Sequence, residues 1–232
     1  FHANILVIFQ NKDDSSLISR LTNLSSEKQI LIPGSGIELD KYQKTIISQN
    51  SRLVIFPARL LISKGILDFV EVAKILKGKA RFILVGMIDS DNPDSICQSD
   101  LNEWVKNGYV EFWGYSSNIS RTFQKASIVV LPSYREGFPK VLMEAAACGR
   151  PVVTTDVPGC RDAIIPEKTG LLVPVKSPHK LANAICKLIF DYSLLVKMSN
   201  NCRSLAEDRF NIDDVIDKHL DIYSNLTKKK IL

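Results

Sequence analysis

The sequence predicts an α/β fold: a doubly wound, Rossmann-like parallel sheet followed by C-terminal helices. Three observations predict it. Strand and helix signals alternate along most of the chain, as they do in sheets built from βαβ units. The strands are short, β-branched apolar runs such as Ile128–Leu131 (IVVL), the pattern of strands covered on both faces. The stretch from Val129 to Val153, VVLPSYREGFPKVLMEAAACGRPVV, encodes a strand, a glycine-containing loop and a helix. In open parallel sheets that corner, beyond the carboxyl end of a strand, is where ligands bind.

The elements follow in order. Ile5–Phe9 reads as a strand, Ser16–Leu24 as a short helix and Gln29–Ile32 as a strand. Pro33-Gly34-Ser35-Gly36 is a turn cluster and a linker. Leu53–Pro57 opens a second unit, with a helix over Ile66–Leu76 and a strand over Phe82–Val85. The polar loop Asp89–Asp94 leads to a helix that ends near Asn107-Gly108. Val110–Trp113 is a strand, Asn118–Ala126 a helix, and Ile128–Leu131 the next strand. Pro139 stands where a helix begins, since a first-turn residue loses nothing by lacking an N–H. Val141–Ala147 is strongly helical, and Gly149 stops it. Pro151–Thr154 and Leu171–Val173 are the last strands. Helices over Pro178–Asp191, Leu194–Arg209 and Asp213–Leu226 close the chain. The final one carries a broad apolar stripe of Val215, Ile216, Leu220, Ile222, Tyr223 and Leu226.

At 232 residues the chain can bury a sizeable core. Its formal charge of +5 suits an anionic ligand or an anionic membrane surface. No basic–aromatic stripe or RNP-like motif points to nucleic acid. Five widely spaced cysteines without a Cys-x-x-Cys pair argue against a zinc site or a disulfide framework and for reduced thiols in the cytosol. No signal peptide and no apolar run of membrane-spanning length is present. The chain opens at Phe1, and residues 4–8 (NILVI) already read as a strand, so a piece of a longer protein is expected. Lys228, Lys229 and Lys230 read as a solvated tail or, on an anionic leaflet, as a surface contact worth about 1 kcal/mol per charge.

Glu136 and Glu144 flank seven residues of the loop–helix corner. The free N–H groups of a helix start favour an anion, yet a carboxylate repels phosphate. Carboxylates at such a corner instead accept hydrogen bonds from sugar hydroxyls. Two of them suggest two polyols on either side of a diphosphate, which describes a nucleotide sugar. By residue type alone a helix cap for Glu136 and a solvated face for Glu144 fit as well; the glycine, proline and apolar strand beside them favour the ligand. Arg59 directly follows a predicted strand and Lys64 lies five residues on. Both can reach the carboxyl edge of the sheet, Arg as a bidentate fork and Lys as a point charge, although two surface bases would share that spacing. Lys140, at the helix start, either adds to the anion site or is solvated. Gly114 and Tyr115 either admit a planar ring or form an ordinary turn. Asp89 and Asp91 read as a turn, so no metal is required, and His2, His179 and His219 sit in no motif.

Further segments join that corner: FPARLLISKG (56–65), RFILVG (81–86), VEFWGY (110–115), DVPGCRDAI (156–164) and GLLVP (170–174). Together they resemble the donor domain of the retaining glycosyltransferases of family four, which have the GT-B fold. The wording from Arg135 to Ile164 is similar to bacterial members that extend lipid-linked oligosaccharides with UDP-N-acetylhexosamines. The resemblance implies the donor half of a GT-B fold. Residues 1–40 would be a remnant of the acceptor domain and linker, 41–210 the donor-binding domain, and 211–232 the crossover helix and basic tail. It implies Arg59 and Lys64 on the diphosphate, Glu144 on the ribose and Glu136 on the donor sugar. Gly137, Phe138 and Pro139 would shape the sugar pocket, with Lys140, Val141, Gly114 and Tyr115 completing the donor site. Arg59, Lys64 and Glu136 are the implied catalytic residues. The expected activity is transfer of a sugar, with retention, from a nucleotide, UDP by expectation, to a saccharide or lipid-linked acceptor in surface polysaccharide synthesis. It would need no metal or cofactor, would take place in the cytoplasm or at the cytoplasmic face of the inner membrane, and would be absent from this piece alone. A non-catalytic nucleotide-sugar-binding module and a sugar-nucleotide epimerase of the same fold are the alternatives.

Overall fold

The computed structural model describes residues 5–228. Its elements run β1 (Val7–Phe9), α1 (Lys12–Thr22), β2 (Gln29–Leu31), β3 (Leu53–Pro57), α2 (Ile66–Ile75), β4 (Arg81–Val85), α3 (Gln98–Lys106), β5 (Glu111–Gly114), α4 (Ile119–Lys125), β6 (Ile128–Leu131), α5 (Lys140–Ala147), β7 (Val152–Thr155), β8 (Gly170–Val173), α6 (Pro178–Phe190), α7 (Tyr192–Arg209) and α8 (Ile212–Lys228).

Six strands form one parallel sheet in the order β5-β4-β3-β6-β7-β8. Winding runs outward from β3 in one direction and then, from β6, in the other. That is the doubly wound order, and its reversal leaves a crevice past the carboxyl ends of β3 and β6. Strand alternation divides the core. Val54 and Phe56 of β3 face a layer that contains Ile66, Phe69 and Val70 of α2 and Ile185 of α6. Leu53 and Ile55 face Leu142, Met143 and Ala146 of α5 and Leu205 of α7.

The β1–α1–β2 unit forms a separate two-stranded parallel sheet. It is tied to the larger body through the chain that follows it: Ile37 N–H donates to Phe210 O (2.8 Å) and Ile212 N–H to Ile37 O (3.1 Å). Val215 and Ile222 of α8 pack on Ile32, while Ile216, Leu220 and Tyr223 of the same stripe stay exposed. Within the larger body, Arg150 is wholly buried past the end of α5. Its guanidinium donates to Ala126 O (3.0 Å) and Thr45 O (2.6 Å), pinning the Thr45 segment to the end of α4. Burial pulls its pKa down to about 10.

Several element ends differ from the expected ones by a few residues, and two have a visible cause. Helix α1 starts four residues earlier than the Ser16 expected from apolar periodicity, because Asn11 caps it by accepting from Asp14 N–H (2.8 Å). Strand β5 lies one residue downstream of Val110–Trp113 and ends on Gly114, at a register shift between Leu84 and Val85 of its partner. Lys228 closes α8, whereas Lys229 and Lys230 of the expected basic tail lie outside the described residues.

Gly65 fixes how closely the two crevice loops approach. It adopts φ +77°, and a Cβ there would stand 2.1 Å from Pro132 O. Gly65→Ala therefore meets left-handed strain and a backbone clash together. We expect it to lower stability by about 2–4 kcal/mol in urea unfolding; a loss below about 0.5 kcal/mol would show that the loops separate freely.

Candidate functional site

The loops that leave β3 and β6 meet over the crevice. After β3 come Ala58 and Arg59, then a 3₁₀ turn, Ile62–Lys64, ended by Gly65. After β6 come Pro132 to Pro139, then α5. Tyr134 N–H donates to Ser63 O (2.8 Å) and joins the two loops by their backbones. This junction brings Lys64 Nζ to 2.6 Å from Glu136 Oε1. Ser133 Oγ–H donates to the same oxygen at 2.7 Å. The Glu136 side chain is only 10% exposed and that of Lys64 25%, so the pair is shielded from water and fixed in place.

Arg59 is held differently. Its Nη1 contacts Asp89 Oδ2 at 2.8 Å, but the arginine side chain is 59% exposed. Exposed pairs of this kind contribute about 0–1 kcal/mol, so the guanidinium can be redirected at little cost. Asp89 belongs to the polar loop expected as a turn, and nothing in its spacing identifies it as a partner of Arg59.

Beside this pair lies a cleft of about 390 Å³. Its walls are the residues after β3 and β4 (Arg59, Gly86, Met87), the loop after β5 (Tyr115) and the first turns of α5 (Lys140, Val141, Glu144). Gly86 shapes the floor, because a Cβ there would stand 2.0 Å from Ala58 O. Glu144 is buried, one turn inside α5. Its Oε1 accepts from Tyr42 O–H at 2.7 Å and lies 3.7 Å from Lys140 Nζ. Burial raises its pKa above the usual carboxylate range, against the opposing effects of Tyr42 and Lys140. The Tyr42 phenol is in turn pushed well above its ordinary value by burial and by the hydrogen bond to Glu144.

Arg59, Tyr115, Lys140, Val141 and Glu144 thus line one cleft, and Lys64 and Glu136 are paired outside its lining, on the loops that carry Arg59 and lead into α5. The remaining residues singled out in the sequence take other positions. Gly137 is exposed, and its carbonyl accepts from Asn11 Nδ2 at 2.9 Å. Phe138 is buried against Phe210, with ring centroids 5.9 Å apart, and lines a different cavity beside the first βαβ unit. Pro139 is the N-cap residue of α5. Gly114 has φ +69°, a left-handed conformation that favours glycine, and no protein atom crowds its Cβ position. Trp113 lies beneath Lys125, 5.4 Å from its centroid, in a cavity that also includes Arg52 and Arg81. The sequence reading missed Tyr42, Ser133, Asp89 and Met87. Only Ser133 stood inside a recognised motif; Tyr42 reaches the site from 102 residues upstream of Glu144 with no local signal.

Comparison with known proteins gives this geometry a setting. Residues 39–205 match the family described as glycosyl transferases group 1. The chain is 32% identical to the N,N'-diacetylbacillosaminyl-diphospho-undecaprenol alpha-1,3-N-acetylgalactosaminyltransferase of Campylobacter jejuni, over 95% of this chain and 60% of that protein. It is 27% identical to the UDP-Gal:alpha-D-GlcNAc-diphosphoundecaprenol alpha-1,3-galactosyltransferase of Escherichia coli, over 97% of this chain and 61% of that one. Among solved structures, HepE from Anabaena in complex with UDP superimposes with a TM-score of 0.83 at 22% identity, over 95% of this chain and 64% of that one. The chain thus spans about 60% of the length of these two curated relatives, and its fold is that of the GT-B glycosyltransferases.

The raised pKa of Glu144 sets a pH dependence. Below it the carboxyl is neutral and its burial is tolerated. As pH rises through it the folded protein must hold a desolvated charge, and that part of the stability is lost. Glu144→Gln keeps an acceptor for Tyr42 without the charge. We expect it to melt above the parent protein at about pH 7, with the difference closing towards about pH 4. A gap independent of pH would refute the assignment.

Proposed function

The chain belongs to the group 1 glycosyltransferases, and on that premise we propose that it is the donor-binding part of an enzyme that transfers a sugar from UDP to a lipid-linked saccharide. The observation that carries this reading is one juxtaposition. Two cations, Arg59 and Lys64, and two carboxylates, Glu136 and Glu144, gather where the loops after β3 and β6 meet the start of α5. A diphosphate lies naturally over the helix start and the cations, with a polyol at each end.

In this reading Glu144 accepts the ribose hydroxyls inside the cleft, and Tyr115, Met87 and Val141 surround the nucleoside. Arg59 leaves its weak pair with Asp89 for the diphosphate. Lys64 already stands beside Glu136, so an arriving phosphate shares it. Glu136 stays anchored by Ser133 and receives a hydroxyl of the donor sugar, next to the carbonyl of Gly137. During transfer the bond from the anomeric carbon to the β-phosphate oxygen breaks and a bond to the acceptor oxygen forms on the same face. The departing phosphate takes the acceptor proton. Fixed cations stabilise the charge that grows on that phosphate.

The two relatives named for diphospho-undecaprenol acceptors support a lipid-linked substrate presented at a membrane face. The UDP-Gal in one of those names and the UDP held by HepE support the uridine nucleotide. Among the described residues no helix is long and apolar enough to cross a membrane. The acceptor side belongs to an N-terminal domain whose last unit we take to be residues 1–40. Residues 41–210 form the donor domain, and 211–232 the helix that crosses back.

Two measurements test the proposal. UDP should bind more tightly than uridine in calorimetry, since phosphate is what the cations recognise; equal affinities would remove the diphosphate assignment. Glu144→Ala should weaken UDP itself about ten- to a hundredfold, the scale of hydrogen bonds to a charged group. Glu136→Ala should leave UDP nearly unchanged and weaken the intact UDP-sugar. Equal losses of UDP affinity in the two variants would sink the assignment of one polyol to each carboxylate.

A further inference from the structure

Tyr42 enters the site from outside every motif. It follows the short 3₁₀ turn Leu39–Lys41, and its ring is half-buried along α5. It is fastened at both ends. Its O–H donates to Glu144 Oε1 at 2.7 Å. Its carbonyl accepts from Arg203 Nη1 at 2.6 Å, and the same nitrogen donates to Ala147 O (3.0 Å), the last residue of α5. Arg203 of α7 is itself held by Glu207, 2.6 Å away. The Tyr42 backbone is thereby tied to α5 and α7, which sets the point from which the phenol reaches Glu144.

We infer that Tyr42 is a positioning residue of the nucleotide pocket, fixing one carboxylate oxygen of Glu144 so that the other is presented to a vicinal diol. This rests on the reading of Glu144 as the ribose acceptor. Glu144 lines the cleft, and its Oε2 makes no hydrogen bond among the described residues. The charged and titratable groups around it are few. Lys140 lies on its own helix and Arg59 on the cleft wall; Cys148 is one turn on, bonded to Ser120 of α4; Arg203 reaches in from α7. Strands β6 and β7 carry none. Tyr42 is the neutral donor in this group. A phenol orients the carboxylate without cancelling the charge that two hydroxyls need, and without adding a cation to compete for the diphosphate. Burial raises the Glu144 pKa, and the Tyr42 hydrogen bond acts in the opposite sense. Removing that bond should raise it further.

The test is calorimetry of UDP and of inorganic pyrophosphate with the parent chain, Tyr42→Phe and Glu144→Ala, between about pH 5 and pH 8. Tyr42→Phe keeps the ring and loses only the hydroxyl. UDP should bind about three- to tenfold more weakly at neutral pH, the scale of one hydrogen bond. The loss of UDP affinity on acidification should begin at higher pH than in the parent. Pyrophosphate, which has no ribose, should bind as before, which also reports that the site is folded. Unchanged UDP affinity with an unchanged acid limb would overturn the role of Tyr42, as would a parallel loss of pyrophosphate. If Glu144→Ala binds UDP normally, the ribose assignment of Glu144 fails first. If Glu144→Ala is weakened and Tyr42→Phe is not, only the positioning role fails.

Discussion

The site depends on the pairing of β3 with β6, strands separated by two complete βα units yet hydrogen-bonded through Val54–Ile128 and Ile55–Val129. Because the helices that follow them cover opposite faces of the sheet, the chain cannot close over their carboxyl ends, and the loops must lean together instead. The contact of Gly65 with Pro132 and the backbone bond from Tyr134 to Ser63 turn that gap into a defined floor. Lys64 and Glu136 come within 2.6 Å because their loops are already joined. Their attraction is a consequence of the strand order and not its cause.

The two carboxylates illustrate how one residue type acquires two characters. Glu136 sits against a cation and a hydroxyl in a loop, where its charge is answered in advance. Glu144 sits inside a helix against a phenol, with a lysine at the limit of contact, so its charge is only partly answered and its burial is unfavourable when it is ionised. A buried charge left in that condition is retained against stability, which is characteristic of a group that completes its hydrogen bonding with a ligand.

The fold was legible because parallel strands have a plain signature. Ile128–Leu131 and Leu53–Pro57 are apolar throughout, and each is followed by a proline- or glycine-marked turn and a helical period. Helix ends were less legible where a polar cap outweighed apolar periodicity, as at Asn11. The loop–helix corner could be read from Glu136 to Glu144 because the chain supplies it in one continuous stretch. Some partners of the site residues could not. Tyr42 reaches Glu144, and Asp89 reaches Arg59, through tertiary packing, over sequence distances at which a single sequence carries no pattern. Phe138, adjacent to Glu136 in the motif, packs its ring against Phe210, a contact that its place in the sequence does not announce.

Asn11 ties the two parts of the molecule in a way that bears on motion. It caps α1 with its carbonyl oxygen while its amide nitrogen holds Gly137 O, one residue from Glu136, and it is 2% exposed. Arg135 and Asp14 add an outer contact at 3.2 Å. Any rotation of the first βαβ unit about the Pro33–Gly36 segment must stretch this hydrogen bond or carry the loop along. The unit and the loop are therefore geared to each other. A swing that widens the space between them loosens the backbone next to Glu136, and a ligand that steadies Glu136 resists the swing.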